Sequence, residues 1–174
     1  MTKQEKVAEL GSVSSGSMRE EDLIHAFHDA LDVLDPKRAS DFAFELDALS
    51  KHWVNDTYGC HFDHDAQVTD KDGDKMSVAD LAHYVCEELF DALNEYAPSY
   101  CYFGSHPGDG SDYGFWICED LFYDDGFFDG LRVEDLSEVP EDYQGEVLQV
   151  NDHGNATLWT VDGKGAFSEV WAVV

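Results

Sequence analysis

The stretch SVADLAHYVCEELFDALNEYAP (residues 77–98), followed by YCYFGSHPGDGSDYGFWI (residues 100–117), decides the fold class. In the first, Val78, Leu81, Ala82, Val85, Leu89, Ala92, Leu93 and Tyr96 recur at helical period. Ser77 with Asp80 supplies the start signal, and Pro98 follows the end. In the second the period changes to two. Tyr100–Phe103 and Tyr113–Ile117 alternate like paired strands around a Gly-rich connection.

Working outward, two more helical faces lie upstream. Leu23, Ile24, Phe27, Ala30, Leu31 and Leu34 follow Ser17 and Glu20 at capping-box spacing. Ala39, Phe42, Ala43, Leu46, Leu49 and Trp53 follow Asp35-Pro36, an N-cap with proline at the first helical position. Residues 55–75, rich in Asp and Gly, read as a loop. Downstream, residues 118–145 are acidic and irregular, with a short helix near Glu119–Tyr123. Glu146–Val150 and Ala156–Val161 read as a hairpin, and Val170–Val174 as a last strand. Helices first and strands later predict an α+β fold: three N-terminal helices packed on one face of a C-terminal antiparallel sheet of about five strands. Residues 1–17, ending in the Gly/Ser-rich run Gly11–Ser17, read as a flexible arm, and 18–174 as a single acidic domain.

The chain carries 38 acidic residues against 10 basic ones, a net charge of −28 over 174 residues. Its 11 Phe, 8 Tyr and 4 Trp exclude a disordered acidic tail. The charge is uneven: −15 over residues 20–98, −11 over 99–145 and −3 over 146–174. A salt-adapted surface would be acidic throughout, so this distribution favours a basic partner over salt adaptation. Direct nucleic-acid binding is disfavoured on the same electrostatic grounds. No apolar run approaches the roughly 18 residues of a membrane span. Met1–Ser17 holds no apolar signal core, which predicts a cytoplasmic location, in a microbe's own cytosol or that of a host cell. Cys60, Cys86, Cys101 and Cys118 form no CxxC pair and read as reduced, partly buried thiols.

The helix surfaces carry the strongest functional signal. Glu21, His25, His28, Asp32 and Asp35 form one polar stripe on the first helix. Asp80, Glu87, Glu88, Asp91 and Glu95 do the same on the third, which has no Lys or Arg from Val78 to Tyr96. An ordinary solvated face mixes signs to gain i,i+4 pairs, and this one forgoes them. Glu21, Asp32, Asp35, Asp80, Glu87, Glu88, Asp91 and Glu95, with Asp120, Asp124, Asp125 and Asp129 from the acidic segment, form the candidate partner-binding set. Duplex DNA carries one charge per about 1.7 Å, so 28 charges match about 48 Å, or about 14 base pairs.

Other clusters are weaker. His106, Asp109 and Asp112 in the Gly-rich stretch 104–114 could bind a metal or act as acid and base, but a hairpin connection accounts for that stretch. Cys60, His61 and His64 lack the second ligand pair of a structural zinc site. Asp70–Asp74 fails the EF-hand pattern: Val68 stands two before Asp70, and the twelfth position counted from Val68 is Ala79 rather than Glu. No catalytic residue, cofactor or metal is predicted.

The stretches Tyr102–Trp116 and Val150–Trp159 resemble those of small acidic proteins of phages, prophages and plasmids. The resemblance runs from about residue 20 to the end, implies a mobile-element origin and supplies no catalytic residues. In charge and size the chain is also similar to phage anti-restriction and anti-CRISPR proteins that act as DNA mimics. The expected function is therefore a non-enzymatic inhibitor whose carboxylates block the nucleic-acid groove of a basic restriction, CRISPR or similar protein, with homodimerisation left open. Two alternatives compete. One is an immunity-type or accessory protein binding a basic partner through Tyr113, Phe115, Trp116, Phe122, Tyr123, Phe127 and Phe128. The other is a small metal-dependent enzyme built on the 104–114 loop.

Overall fold

The computed structural model describes residues 7–57, 59–124 and 126–173. From the N-terminus the chain forms β1 (Gly11–Ser14), α1 (Glu20–Leu34), α2 (Pro36–Ser40), α3 (Ala43–Ser50), β2 (Trp53–Asp56), β3 (Gly59–Phe62), β4 (Gln67–Thr69), β5 (Lys75–Ser77) and α4 (Val78–Asn94). It continues through β6 (Cys101–His106), β7 (Asp109–Ile117), α5 (Asp120–Tyr123), β8 (Leu131–Val133), β9 (Gly145–Val150), β10 (Ala156–Val161) and β11 (Phe167–Val173). The fold is mixed α/β. The chain divides into two compact units, Met1–Ala97 with Phe103–Phe115, and Pro98–Tyr102 with Trp116–Val174, and in place of one sheet of about five strands it holds several smaller ones. The described strands form a sheet ordered β1-β7-β6, a sheet ordered β11-β10-β9-β8, and two separate hairpins.

In the first unit α4 begins as its sequence indicates. The Ser77 hydroxyl accepts from the Asp80 amide at 3.1 Å and donates to the Asp80 carboxylate at 2.7 Å. Val78, Leu81, Ala82, Val85, Leu89, Ala92 and Leu93 then turn inward. α1 packs on α4 through Leu23, Ile24, Phe27 and Leu31, all buried. Its first turn, Glu20, Glu21 and Asp22, complements the positive end of the helix dipole. The expected capping box does not form, because the N-cap is Arg19; Ser17, two residues upstream, accepts from the Arg19 amide and donates to the Asp22 carboxylate. Phe27 meets Phe103 edge-on at 5.0 Å and Tyr113 at 5.6 Å, while Phe103 also packs against Phe90 at 5.3 Å and Phe115 at 4.9 Å. This aromatic cluster seats the helix pair on β6 and β7.

Three segments of this unit depart from expectation. The helix expected over 36–53 is broken in two. Ser40 and Asp41 are weak helix formers that compete for backbone hydrogen bonds, and the Ser40 hydroxyl donates back to the Lys37 carbonyl. Trp53 leaves the helical path to pair with Phe62, ring centroids 5.1 Å apart. The expected loop 55–75 contains the two short hairpins. The turn of the second is held by the Asp70 carboxylate, which accepts from the Asp72 and Asp74 amides. Finally, Gly11–Ser14 is no flexible arm: it pairs antiparallel with β7, Gly11 opposite Phe115 and Ser12 opposite Gly114. A Cβ at Gly114 would collide with the Gly11 carbonyl, so β1 approaches only because residue 114 is glycine.

In the second unit β9, β10 and β11 form an antiparallel meander, with Leu148 opposite Leu158 and Leu158 opposite Trp171. β8 joins parallel to β9, so the sheet is not wholly antiparallel. Val133, Val147 and Val161 bury one face. β11 is an edge strand whose Phe167 and Val173 remain exposed. Tyr100 sits in the left-handed region at φ 62°, its hydroxyl donating to Glu146 at 2.6 Å and its ring packed against Phe127 and Phe128.

Gly114→Ala should detach β1 without unfolding the helices. In hydrogen exchange the amides of 11–14 lose protection while those of α4 keep theirs. Equal loss in both would show that β1 is essential to the whole unit.

Candidate functional site

The exposed side of α4 presents Asp80, Glu87, Asp91 and Glu95, with Glu88 half-buried beside them. At about 100° per residue these five positions fall within one third of the helix circumference. The segregation follows from the apolar face opposite, which takes every position pointing at α1 and the sheet. Among the described residues no Lys or Arg pairs with any of the five. His83 is the nearest cationic group: its Nδ1 lies 2.9 Å from Glu20 Oε1 and its Nε2 3.4 Å from Glu87 Oε1. The Glu20 hydrogen bond, reinforced by the Glu87 charge, raises the His83 pKa.

Between α1 and α4 lies a groove of about 570 Å³. Leu23, Phe27, Phe90 and Tyr113 floor it, and Glu20, Glu87, Glu88 and Asp91 supply its acid. An apolar floor with an acidic rim suits the aliphatic stem and charged head of Lys or Arg. Cys86 also lines the groove, but burial, with Glu20 and Glu87 nearby, pushes its thiol up to about 11. It is therefore protonated at neutral pH and a poor nucleophile. The thiols of Cys101, pushed up to about 12, and Cys118 are also raised, chiefly by burial, whereas Cys60 is exposed rather than buried.

The acidic stripe expected on α1 is largely consumed inside the fold. Glu21 is only 4% exposed, because the β2–β3 hairpin covers it. Its Oε1 accepts from the Phe62 amide at 3.3 Å and lies 3.1 Å from His64 Nε2 and 3.6 Å from Arg19. Burial raises its pKa, but hydrogen bonds from its own backbone, His64 and Phe62, together with Arg19, outweigh that and leave it lowered. Asp35 caps α2, accepting from the Lys37 and Arg38 amides, and takes the Tyr96 hydroxyl at 3.0 Å. Glu21 and Asp35 are thus structural groups, and of the α1 carboxylates in the candidate set Asp32 stays exposed. Asp120, Asp124 and Asp129 are exposed in the second unit, while Asp125 lies outside the described residues.

The weaker clusters have local roles. The 104–114 stretch is mostly strand around a turn at Pro107-Gly108. There His106 Nδ1 accepts from the Gly108 amide, Asp112 from the Ser12 hydroxyl, and Asp109 from the amide and hydroxyl of Ser111, which lower its pKa. Among the described residues no three His, Cys, Asp or Glu side chains are placed to hold a metal ion. Of the seven candidate aromatics, Phe115 and Phe128 are buried, Trp116 is half-buried and Tyr113 packs on Phe27, whereas Phe122, Tyr123 and Phe127 are exposed, Tyr123 at 83%. Glu20 and the apolar groove floor were missed by sequence reasoning, although the His83–Glu87 spacing of four residues marked this side of α4. Comparison with protein-family models, curated proteins and solved structures finds no match for this chain.

Two measurements test this placement. Glu21→Ala should lower stability by about 2 kcal/mol, while Asp32→Ala should change it by less than about 0.5 kcal/mol. Because the Glu21 pKa is lowered, its contribution is present above the ordinary Glu range and lost as pH falls through the folded value. His83 behaves oppositely: its raised pKa gives stability below the ordinary His value, lost as pH rises through the folded one. An NMR titration should place His83 above ordinary His, and Glu20→Gln should bring it down.

Proposed function

We propose that this chain is a non-enzymatic acidic inhibitor of mobile-element origin, acting in the cytoplasm by occupying the nucleic-acid groove of a basic restriction, CRISPR or similar protein. The observation that carries this reading is the carboxylate face of α4, which no described Lys or Arg neutralises. Asp80 to Glu95 spans 15 residue steps, about 22 Å of helix. One DNA strand places a phosphate every 3.4 Å or so, giving about six or seven over that length. Five carboxylates on α4 therefore approach the linear charge of one strand rather than of a duplex. The neighbouring groove adds apolar surface that a phosphate backbone lacks, which would favour a protein side chain over a counterion. No described helix is long and apolar enough to cross a membrane.

A second reading is favoured by one feature of the other unit: Phe122, Tyr123 and Phe127 stay exposed, and Phe122 lines a cavity of about 460 Å³ with Arg132, Leu148 and Val150. Exposed aromatics beside a cavity fit an immunity-type contact.

The two are separated with purified restriction or CRISPR effectors bound to labelled DNA. On the first reading the protein displaces the DNA, and its affinity falls about tenfold or more between about 50 and 200 mM salt. Glu87→Gln with Asp91→Asn should weaken displacement, and Tyr123→Ala should not. A stable ternary complex with DNA, or affinity indifferent to salt, would sink it.

A further inference from the structure

A second cavity in the first unit lies where α1, α3 and the β2–β3 hairpin converge. It measures about 320 Å³, at the small end for a ligand site and suited to one large side chain. Ile24, Leu49 and Phe62 form its floor, each no more than 2% exposed. Its mouth is aromatic: Trp53 is 40% exposed, although indole is costly to leave in water, and His25 and His28 stand opposite on α1. The Trp53 ring is fixed edge-on by His25 at 5.8 Å and by Phe62 at 5.1 Å, so the slot is rigid before anything enters. No carboxylate lines the cavity itself, but exposed ones lie on the same two helices. Asp29 and Asp32 sit one turn beyond His25 and His28, and Asp47 lies on α3, where it holds Lys51 at 2.7 Å.

Resting on the reading of the acidic face given above, we propose that this cavity receives one aromatic side chain projecting from a basic segment of the partner. The apolar floor takes the ring and the Trp53–His25 edge stacks against it. Asp29 and Asp32 meet the Lys or Arg residues that flank the ring. Charge complementarity selects this occupant over a second copy of the same chain, whose own −28 would be repelled at this rim. A rigid aromatic slot flanked by charge is also the arrangement in which one buried anchor dominates an interface.

The test uses the full chain with labelled methyl groups and two peptides, Lys-Arg-Lys-Trp-Lys-Arg-Lys and its counterpart with Ala for Trp, titrated at low salt. Both should bind, the Trp peptide about tenfold tighter. The Ile24 and Leu49 methyls should shift with the Trp peptide alone. Trp53→Ala should remove that tenfold advantage and leave the Ala peptide unchanged. The methyl shifts of the unaltered chain decide the matter should that variant misfold. Equal affinity for both peptides overturns the cavity while the acidic-face reading stands; binding of neither overturns both. Free indole binding as tightly as the Trp peptide would mark a small-molecule site and overturn the proposal as well.

Discussion

The edge-on contact of Phe27 with Phe103 is the interaction on which the first unit depends. It joins α1 to β6, and through Phe90 and Phe115 it ties α4 and β7 to the same point. α1 and α4 also meet directly through Leu23, Ile24 and Leu31 and the inward face of α4, and the ring cluster fixes that pair on the sheet. Like charges at i,i+4 cost about 0.2–0.5 kcal/mol each. Burying one Phe side chain contributes about 1.5–3 kcal/mol. A few rings therefore outweigh many surface repulsions. That imbalance lets the outer side of α4 carry acid with His83 as its one described ion-pair partner.

α4 was legible almost in full. The Ser77 cap and the inward run from Val78 to Leu93 stand as the periodicity indicated, and so do the β9–β10 hairpin and the short helix near Tyr123. The break after Ser40 was hidden because Phe42, Leu46 and Leu49 keep apolar spacing across it while the backbone turns. The hairpins between Trp53 and Ser77 were hidden because strands of three or four residues are too short for alternation to rise above the Asp and Gly around them. Glu21 shows the sharper limit. A helical wheel says that Glu21, His25 and Asp32 share a side of α1. It does not say that the β2–β3 hairpin will fold over that side and take Glu21 into the interior while Asp32 remains outside.

Charge divides between the units differently from the linear sequence. The first unit has 24 acidic and 8 basic residues, the second 14 and 2, so the smaller unit is the more densely charged. Its acid lies mainly between Glu119 and Glu146, ahead of the strands β10 and β11. The twelve candidate residues accordingly do not act as one set. Those on α4 share a helix face, Glu21 and Asp35 hold the fold, and Asp120, Asp124 and Asp129 belong to the other unit.

The edge strand β11 gives the acidity a further consequence. Phe167–Val173 is rich in β-formers, lacks proline and carries a single charge, Glu169, while its outer backbone faces no other described strand. Such a segment templates the addition of another strand and seeds aggregation. Natural sheets usually blunt the hazard with a lysine, a proline or a bulge on the strand itself. Here the register shifts where Leu158 pairs with Trp171 and Trp159 with Glu169, so Val170 is the extra residue and β11 itself carries a bulge; long-range repulsion between whole molecules adds to that guard. Colloidal stability thus draws on the entire chain as well as on the strand that needs it. Protonating the carboxylates would remove that repulsion and leave the bulge at Val170 to guard the edge.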